Sequence, residues 1–222
     1  AIAKKILTSM KIKTYGFVTQ IGNIKSDNID IKFIEKNPLR IADKKKLKEM
    51  TDLIDSVRKK GDSIGGIIEV RSIGVPAGLG SPVFEKFDAR LASAIMGIGG
   101  VRGFEIGMGF SVAAMKGSET NDIMLGKSNG KVKFKTNNAG GILGGITNGN
   151  DIVLRFALKP TSSISQVQKS INSKGKSKNL QVKGRHDPCL CPRAVPIAEA
   201  MVNLVLLDCI LENQTSNIKK IK

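Results

Sequence analysis

Two short segments near the end of the chain combine residue types that can do chemistry. Residues 159–163 (Lys-Pro-Thr-Ser-Ser) present an ammonium group, three hydroxyls and free backbone amides, which suits a phosphate or the ribityl chain of a flavin. Residues 184–189 (Gly-Arg-His-Asp-Pro-Cys) put a guanidinium, an imidazole and a carboxylate in a turn that Pro188 stiffens. The first segment also fits an ordinary polar loop after a strand, so the residues alone leave both interpretations open.

Two glycine-rich stretches lie upstream, at 97–103 and 140–149. A dinucleotide fingerprint needs a strand, then Gly-x-Gly-x-x-Gly, then a helix. In 97–103 a predicted helix comes first and Arg102 occupies the place of the third glycine, which excludes a Rossmann site. Glycines without Cβ still let backbone amides approach a ligand closely.

The cysteines do not form a pattern typical of a metal site or a disulfide framework. They are three in number, Cys189, Cys191 and Cys209, and the only histidine is His186. An odd, clustered set fits a reducing cytosol better than secretion, and Cys-x-Cys without a second pair has the wrong spacing for a zinc knuckle. We therefore predict a cytoplasmic protein without a metal ion.

Composition limits the class of protein. With 222 residues, 41% of them hydrophobic, the chain can bury a core as one domain or two small ones. Lys and Arg total 36 against 19 Asp and Glu, a net charge of +17 that predicts a surface attractive to anions. A basic polynucleotide-binding module is therefore an alternative. Most of the cations are lysines, which lack the bidentate fork, and aromatic residues are only 4%, which argues against base-stacking RNA modules.

Apolar runs fall short of the roughly 18 residues that a membrane helix needs, and no charged-then-apolar leader opens the chain, so no membrane segment is predicted.

Periodicity predicts helices at 1–10, 43–60, 83–96 and 198–211 and strands at 11–24, 29–34, 63–73, 104–115 and 151–158. Between them we expect a long mobile loop at 116–135, a surface hairpin at 165–179 and a frayed basic tail at 212–222.

The chain resembles the chorismate synthase family in several stretches. Residues 184–189 and 193–201 (Arg-Ala-Val-Pro-Ile-Ala-Glu-Ala-Met) are similar to that family's C-terminal signature almost residue for residue. The upstream stretches that are also similar, in the family's order, are 96–101, 116–122, 140–149 and 159–163. Together these stretches extend over nearly the whole chain.

The resemblance implies an α+β fold in which antiparallel β-sheets sandwich a central helical layer, here incomplete, assembled as a homotetramer. It implies a shikimate-pathway lyase that converts 5-enolpyruvylshikimate 3-phosphate into chorismate and phosphate, a trans-1,4 elimination that requires reduced FMN without net redox change. NADPH or another reductant would keep the FMN reduced. Nucleic acid and membrane are not among the implied partners.

Carried over by position, the resemblance implies a set of FMN-binding residues: Gly99, Gly100, Gly144, Lys159, Pro160, Thr161, Ser162, Ser163 and Arg185. The family usually shows Asn-Ala where this chain has Gly99 and Gly100. Asp187 matches the family's acid, held near the flavin and expected to help manage the proton on its N5.

The sequence departs from the family in one respect. Segments of the types Ser-His-Gly, Arg-Pro-Gly-His-Ala-Asp and Arg-Ser-Ser-Ala-Arg-Glu match nothing here. In the family these segments bring two catalytic histidines, arginines for the substrate phosphate and part of the FMN site, and His186 corresponds to neither histidine. The first residues, Ala1–Lys5, resemble the helix that follows the last of these segments. We expect residues 1–222 to be the C-terminal part of a single chorismate synthase domain, inactive alone; a degenerate relative that keeps only the fold is a further possibility.

Overall fold

The computed structural model describes residues 1–128 and 131–216. The chain forms two compact units, each assembled from segments that are distant in sequence. The first unit contains Ala1–Gly16, Glu69–Phe156 and Val195–Lys222, the last described up to residue 216, and the second contains Phe17–Ile68 and Ala157–Ala194. The single domain over 1–222 stays a prediction.

The described residues form five α-helices and eleven β-strands, and β5 to β11 follow one another without an α-helix between them. The helices are α1 (Ile2–Ser9), α2 (Leu47–Lys59), α3 (Phe87–Met96), α4 (Gly117–Thr120) and α5 (Cys191–Thr215). The strands are β1 (Lys13–Ile21), β2 (Ile24–Lys25), β3 (Gly66–Ile73), β4 (Val101–Ile106), β5 (Met124–Ser128), β6 (Lys131–Phe134), β7 (Ile142–Leu143), β8 (Ile146–Thr147), β9 (Ile152–Leu158), β10 (Gln168–Ile171) and β11 (Ser177–Leu180).

The main sheet has five strands in the order β2-β1-β3-β9-β4. β1 and β2 pair antiparallel, as do the separate two-stranded sheets β5–β6, β7–β8 and β10–β11. This is an α+β fold with antiparallel sheets. In β9 the buried residues alternate along the strand, Ile152, Leu154, Phe156 and Leu158, as expected when one face of a strand meets the core.

Several predicted elements are confirmed with shifted ends. The helix predicted from Asp43 begins as a 3₁₀ turn, Lys44–Lys46, and continues as α2. The Asp43 side chain caps this turn by accepting from Lys45 N. The hairpin predicted at 165–179 is β10–β11, and the helix predicted from Val83 begins only at Phe87.

One strand prediction is wrong, and a second is confirmed only in part. At 29–34 the chain instead forms a 3₁₀ helix, Ile31–Lys36, because the Asp30 carboxylate accepts from Lys32 N and favours a helical start. At 104–115 the strand is β4, which starts earlier and ends at Ile106. A 3₁₀ helix, Gly109–Ala114, follows, and the Glu105 carboxylate accepts from Phe110 N at 3.1 Å to hold that turn.

The prediction of a long mobile loop at 116–135 is also wrong, because this segment contains α4 and the β5–β6 hairpin. Glu119 reaches back to accept from Lys116 N at 2.7 Å, an interaction that closes the short helix at its start. Residues 129 and 130 lie outside the described residues.

Helix α5 is longer at both ends than the predicted 198–211, reaching Thr215, and residues 217–222 of the predicted tail lie outside the described residues. Within the described chain it is the one helix long and apolar enough to cross a membrane by length and composition, with a mean hydropathy of 1.9 and 50% of that window buried. Polar residues interrupt its apolar runs, so the lengths of uninterrupted runs did not predict it. Core helices of soluble proteins also pass this test, so the evidence for a membrane span is weak.

Candidate functional site

Residues 159–163 follow β9 directly and belong to the second unit. The Lys159 ammonium donates to Ser162 Oγ at 2.8 Å, and both residues are exposed. An ammonium and a hydroxyl held together at the surface form a polar pair that can meet a phosphate oxygen. Strand β9 ends at Leu158, and Pro160, which has no N–H to donate, stands two residues later.

Thr161 is the residue of this segment whose geometry points most directly to a ligand. Its Oγ1 is buried and has no hydrogen-bond partner among the described residues. Its carbonyl oxygen accepts from Ser63 Oγ at 2.6 Å, so the backbone at this point is fixed. A buried hydroxyl without a partner costs about 1–3 kcal/mol, which a ligand oxygen at this position would remove. The segment therefore fits a bound phosphate or a polar cofactor chain.

Asp187 lies between two guanidinium groups of the second unit. Arg185 Nη1 is 3.2 Å from Asp187 Oδ1, and Arg193 Nη1 is 3.0 Å from Asp187 Oδ2. The carboxylate is largely buried, with 21% of its side chain exposed, while both arginine side chains are mostly exposed. Each oxygen thus has its own cationic partner, and the orientation of the carboxylate is set from two sides. Arg193 lies in the stretch that resembles the family signature, but no role was predicted for it from the sequence.

The other residues of the 184–189 turn have structural partners. His186 Nε2 is 3.3 Å from the carbonyl of Val182, and the Pro188 carbonyl accepts from Ile64 N at 2.7 Å. Ser63 and Ile64 are adjacent in sequence, so neighbouring residues hydrogen-bond to Thr161 and to Pro188. The structure therefore links the 159–163 segment and the Asp187 turn through one loop, which sequence patterns did not single out.

The remaining predicted site residues, Gly99, Gly100 and Gly144, lie in the first unit. Gly144 and Gly145 form the two-residue turn between β7 and β8, with φ of +60° and +83°, values that a hairpin turn of this length requires and that glycine adopts readily. A Cβ at Gly144 or Gly99 would meet nothing within 4 Å, so the backbone there is open to an approaching group. Both positions fit the expectation of close backbone approach by a ligand.

All three cysteines are free and buried. A hydrogen bond from the Cys191 thiol lowers the pKa of Cys189, and the same bond raises the pKa of Cys191. Burial raises the pKa of Cys209 to about 11. Among the described residues no group of three or more His, Cys, Asp or Glu side chains could hold a metal ion.

Fold and site together define an α+β protein in which Ser63 and Ile64 link a phosphate-compatible segment to a turn whose carboxylate is held between two arginines. The chorismate synthase family model matches residues 1–211. The chain belongs to the chorismate synthase family. This membership favours the lyase interpretation over a basic polynucleotide-binding module.

Individual relatives agree with this assignment. The chain is 47% identical to a chorismate synthase of Methanothermobacter thermautotrophicus over 94% of its own length and 57% of the relative's. It is 49% identical to one of Archaeoglobus fulgidus, over 95% of its length and 60% of the relative's. A crystal structure of chorismate synthase superposes with a TM-score of 0.80 at 33% identity, covering 96% of this chain and 61% of that one. The chain thus spans about three-fifths of the length of its relatives.

Proposed function

We propose that this chain is part of a chorismate synthase that converts 5-enolpyruvylshikimate 3-phosphate into chorismate and phosphate. In this trans-1,4 elimination a proton and the phosphate leave from opposite ends of a four-carbon unit, and a new double bond forms. Membership of the family over residues 1–211 carries the proposal. The unpartnered buried hydroxyl of Thr161 supports it from the geometry.

Reduced FMN, when bound, would supply the electron density that helps the phosphate depart. We assign its binding to Lys159, Pro160, Thr161, Ser162 and Ser163, with Arg185 adding positive charge, and to Gly99, Gly100 and Gly144. The backbone at Gly99 and Gly144 is open to an approaching group. Lys159 and the Thr161 hydroxyl would hold the cofactor phosphate, because an ammonium and a hydroxyl donor suit phosphate oxygens.

Asp187 is the proposed proton-handling group of this part of the enzyme. Arg185 and Arg193 bind one oxygen each, so the carboxylate keeps one orientation toward the reacting partner. The surplus of lysine and arginine, +17 overall, would attract both phosphorylated ligands. We further propose a cytoplasmic homotetramer in which NADPH or an external reductant reduces the flavin.

We expect the chain alone to bind FMN but to show no turnover, because the family's two catalytic histidines match nothing in it. The test is an anaerobic titration with FMN followed by an assay of chorismate formed from 5-enolpyruvylshikimate 3-phosphate. Saturable FMN binding without chorismate is the expected result. Absence of FMN binding would overturn the cofactor assignment. Robust turnover would contradict the expectation that the chain is inactive alone.

A further inference from the structure

Residues 60–65, between α2 and β3, form a loop that binds the candidate cofactor segment along several residues. Ser63 Oγ donates to Thr161 O at 2.6 Å, Ser165 N donates to Gly61 O at 3.0 Å, and Gln166 Nε2 donates to Lys60 O at 3.0 Å. All of these groups lie in the second unit. The 60–65 loop is therefore the partner that gives the segment after β9 its shape.

The same loop also reaches the Asp187 turn. Ile64 N donates to the carbonyl of Pro188, the residue after Asp187, at 2.7 Å. Consecutive residues thus bind carbonyl groups of both segments that the proposed function uses. One peptide unit separates the two hydrogen bonds.

Tight packing leaves this loop little room to shift. A Cβ added at Gly65 would lie 2.3 Å from Leu158 O and 3.1 Å from Pro160 Cδ. A Cβ added at Gly66 would lie 2.1 Å from Gln20 O and 2.9 Å from Cys191 Sγ. The backbone that follows Ile64 is therefore in direct contact with both the start of the 159–163 segment and the start of α5.

We propose that Ser63 and Ile64 form a positioning bridge that fixes the spacing between the phosphate-holding segment 159–163 and the Asp187 carboxylate. This inference rests on the proposed function, because the spacing matters only if the first segment holds the cofactor phosphate. Ser63 touches no reacting atom in this role. It acts by holding the Thr161 backbone in place. The position of this backbone sets the direction in which the Thr161 hydroxyl points.

The first test is FMN binding by Ser63→Ala in the full chain, with riboflavin, which lacks the phosphate, as the second probe. Losing one hydrogen bond that orders the phosphate segment raises the FMN dissociation constant about three- to tenfold. Riboflavin affinity stays close to that of the matched control Ser26→Ala, whose hydroxyl is buried and has no partner among the described residues. If Ser63→Ala weakens the binding of FMN and riboflavin equally, or weakens the binding of neither, the proposed bridge is wrong.

Amide hydrogen exchange of the ligand-free chain provides an independent test. Ser63→Ala speeds exchange both in residues 161–166 and at the Ile64 amide, because the two hydrogen bonds share one loop. Faster exchange in 161–166 with an unchanged Ile64 amide would show that the two segments are held separately, and the bridge would be wrong. Failure of the unmodified chain to bind FMN would instead overturn the cofactor assignment, while exchange would still decide the bridge.

Discussion

Arg193, in the first turn of α5, holds Asp187 Oδ2 at 3.0 Å, on the side of the carboxylate opposite to Arg185. The arginine side chain is 61% exposed, so solvent screens the attraction. The interaction therefore orients the carboxylate more than it stabilises the fold.

Replacing Arg193 tests this distinction. We expect Arg193→Ala to lower the free energy of unfolding by less than about 1 kcal/mol, because exposed ion pairs contribute little. Urea unfolding followed by circular dichroism measures the change, and added salt reduces it further. A loss well above that value would mean that Arg193 has a packing role in addition to the ion pair.

Lys159 is expected to act on the phosphate of the cofactor. Lys159→Gln removes the charge but keeps a polar side chain, so the FMN dissociation constant rises about three- to tenfold while riboflavin affinity is unchanged. Fluorescence titration at two salt concentrations measures the affinities for FMN and for riboflavin. Lys176→Gln, in the exposed turn between β10 and β11, is the matched control and leaves both affinities unchanged. Equal losses in the two variants would indicate a general effect of surface charge.

Asp43 makes stability depend on pH. Burial alone would raise the pKa of the Asp43 carboxyl, but the amides of Asp27, Asn28 and Lys45 donate to it at 3.0, 3.1 and 2.9 Å and hold its pKa below the usual 3.8. A lowered folded-state pKa stabilises the protein above the unfolded pKa, and this contribution is lost as pH falls through the folded pKa.

The variant Asp43→Ala is therefore expected to cost about 1–2 kcal/mol at neutral pH, and the difference from the unmodified chain narrows below about pH 4. Thermal unfolding across pH 3–8 measures it. The matched control is Asp30→Ala, which removes an exposed cap with a single bond to Lys32 N and costs less. A pH-independent difference would contradict the assigned cause.

Gly65 is predicted to tolerate no side chain. Gly65→Ala would place a Cβ 2.3 Å from the carbonyl oxygen of Leu158, so a strand end or the loop must move, and we expect a loss of about 2 kcal/mol or more. Gly117→Ala, where a Cβ meets nothing within 4 Å, is the control and is close to neutral. Denaturant unfolding compares the two, and similar midpoints would show that the contact relaxes easily.

The three thiols should differ in reactivity. The raised pKa values of Cys191 and Cys209 keep these two protonated at pH 8, and they are only 0% and 1% exposed. Cys189 is 9% exposed, and its lowered pKa favours the thiolate. Iodoacetamide should therefore label Cys189 first in the folded chain and the others only after unfolding, as peptide mass spectrometry can show. Faster labelling of Cys209 than of Cys189 would contradict the assigned order.

Local patterns predicted the elements whose signals are complete within a few residues. The alternation in β9 and the Asp43 cap before α2 are examples, and both are confirmed. The strand predicted at 29–34 failed because the Asp30 cap outweighed β-branched composition, and the β5–β6 hairpin was missed because polar strands lack an apolar alternation.

The candidate site was predictable only where residue type carries the chemistry. Lys159 and Asp187 stand in segments whose composition is already unusual, and the resemblance gave each a role. Ser63 and Ile64 could not be found in this way, because their contribution is a pair of hydrogen bonds to backbone carbonyls that are 98 and 124 residues away. Sequence patterns do not encode such contacts.

One further group of charges spans three neighbouring strands of the main sheet. Glu69 on β3 is buried, with its carboxylate 2.6 Å from Arg71 Nε and 3.4 Å from Arg155 Nη1, and Arg155 Nε on β9 is in turn 2.5 Å from Glu105 Oε1 on β4. A slip of β9 by one residue would turn Arg155 toward the face now occupied by Leu154 and Phe156 and leave Glu69 without that partner. These four side chains therefore favour one register of the three strands. Apolar packing on the other face does not by itself select that register.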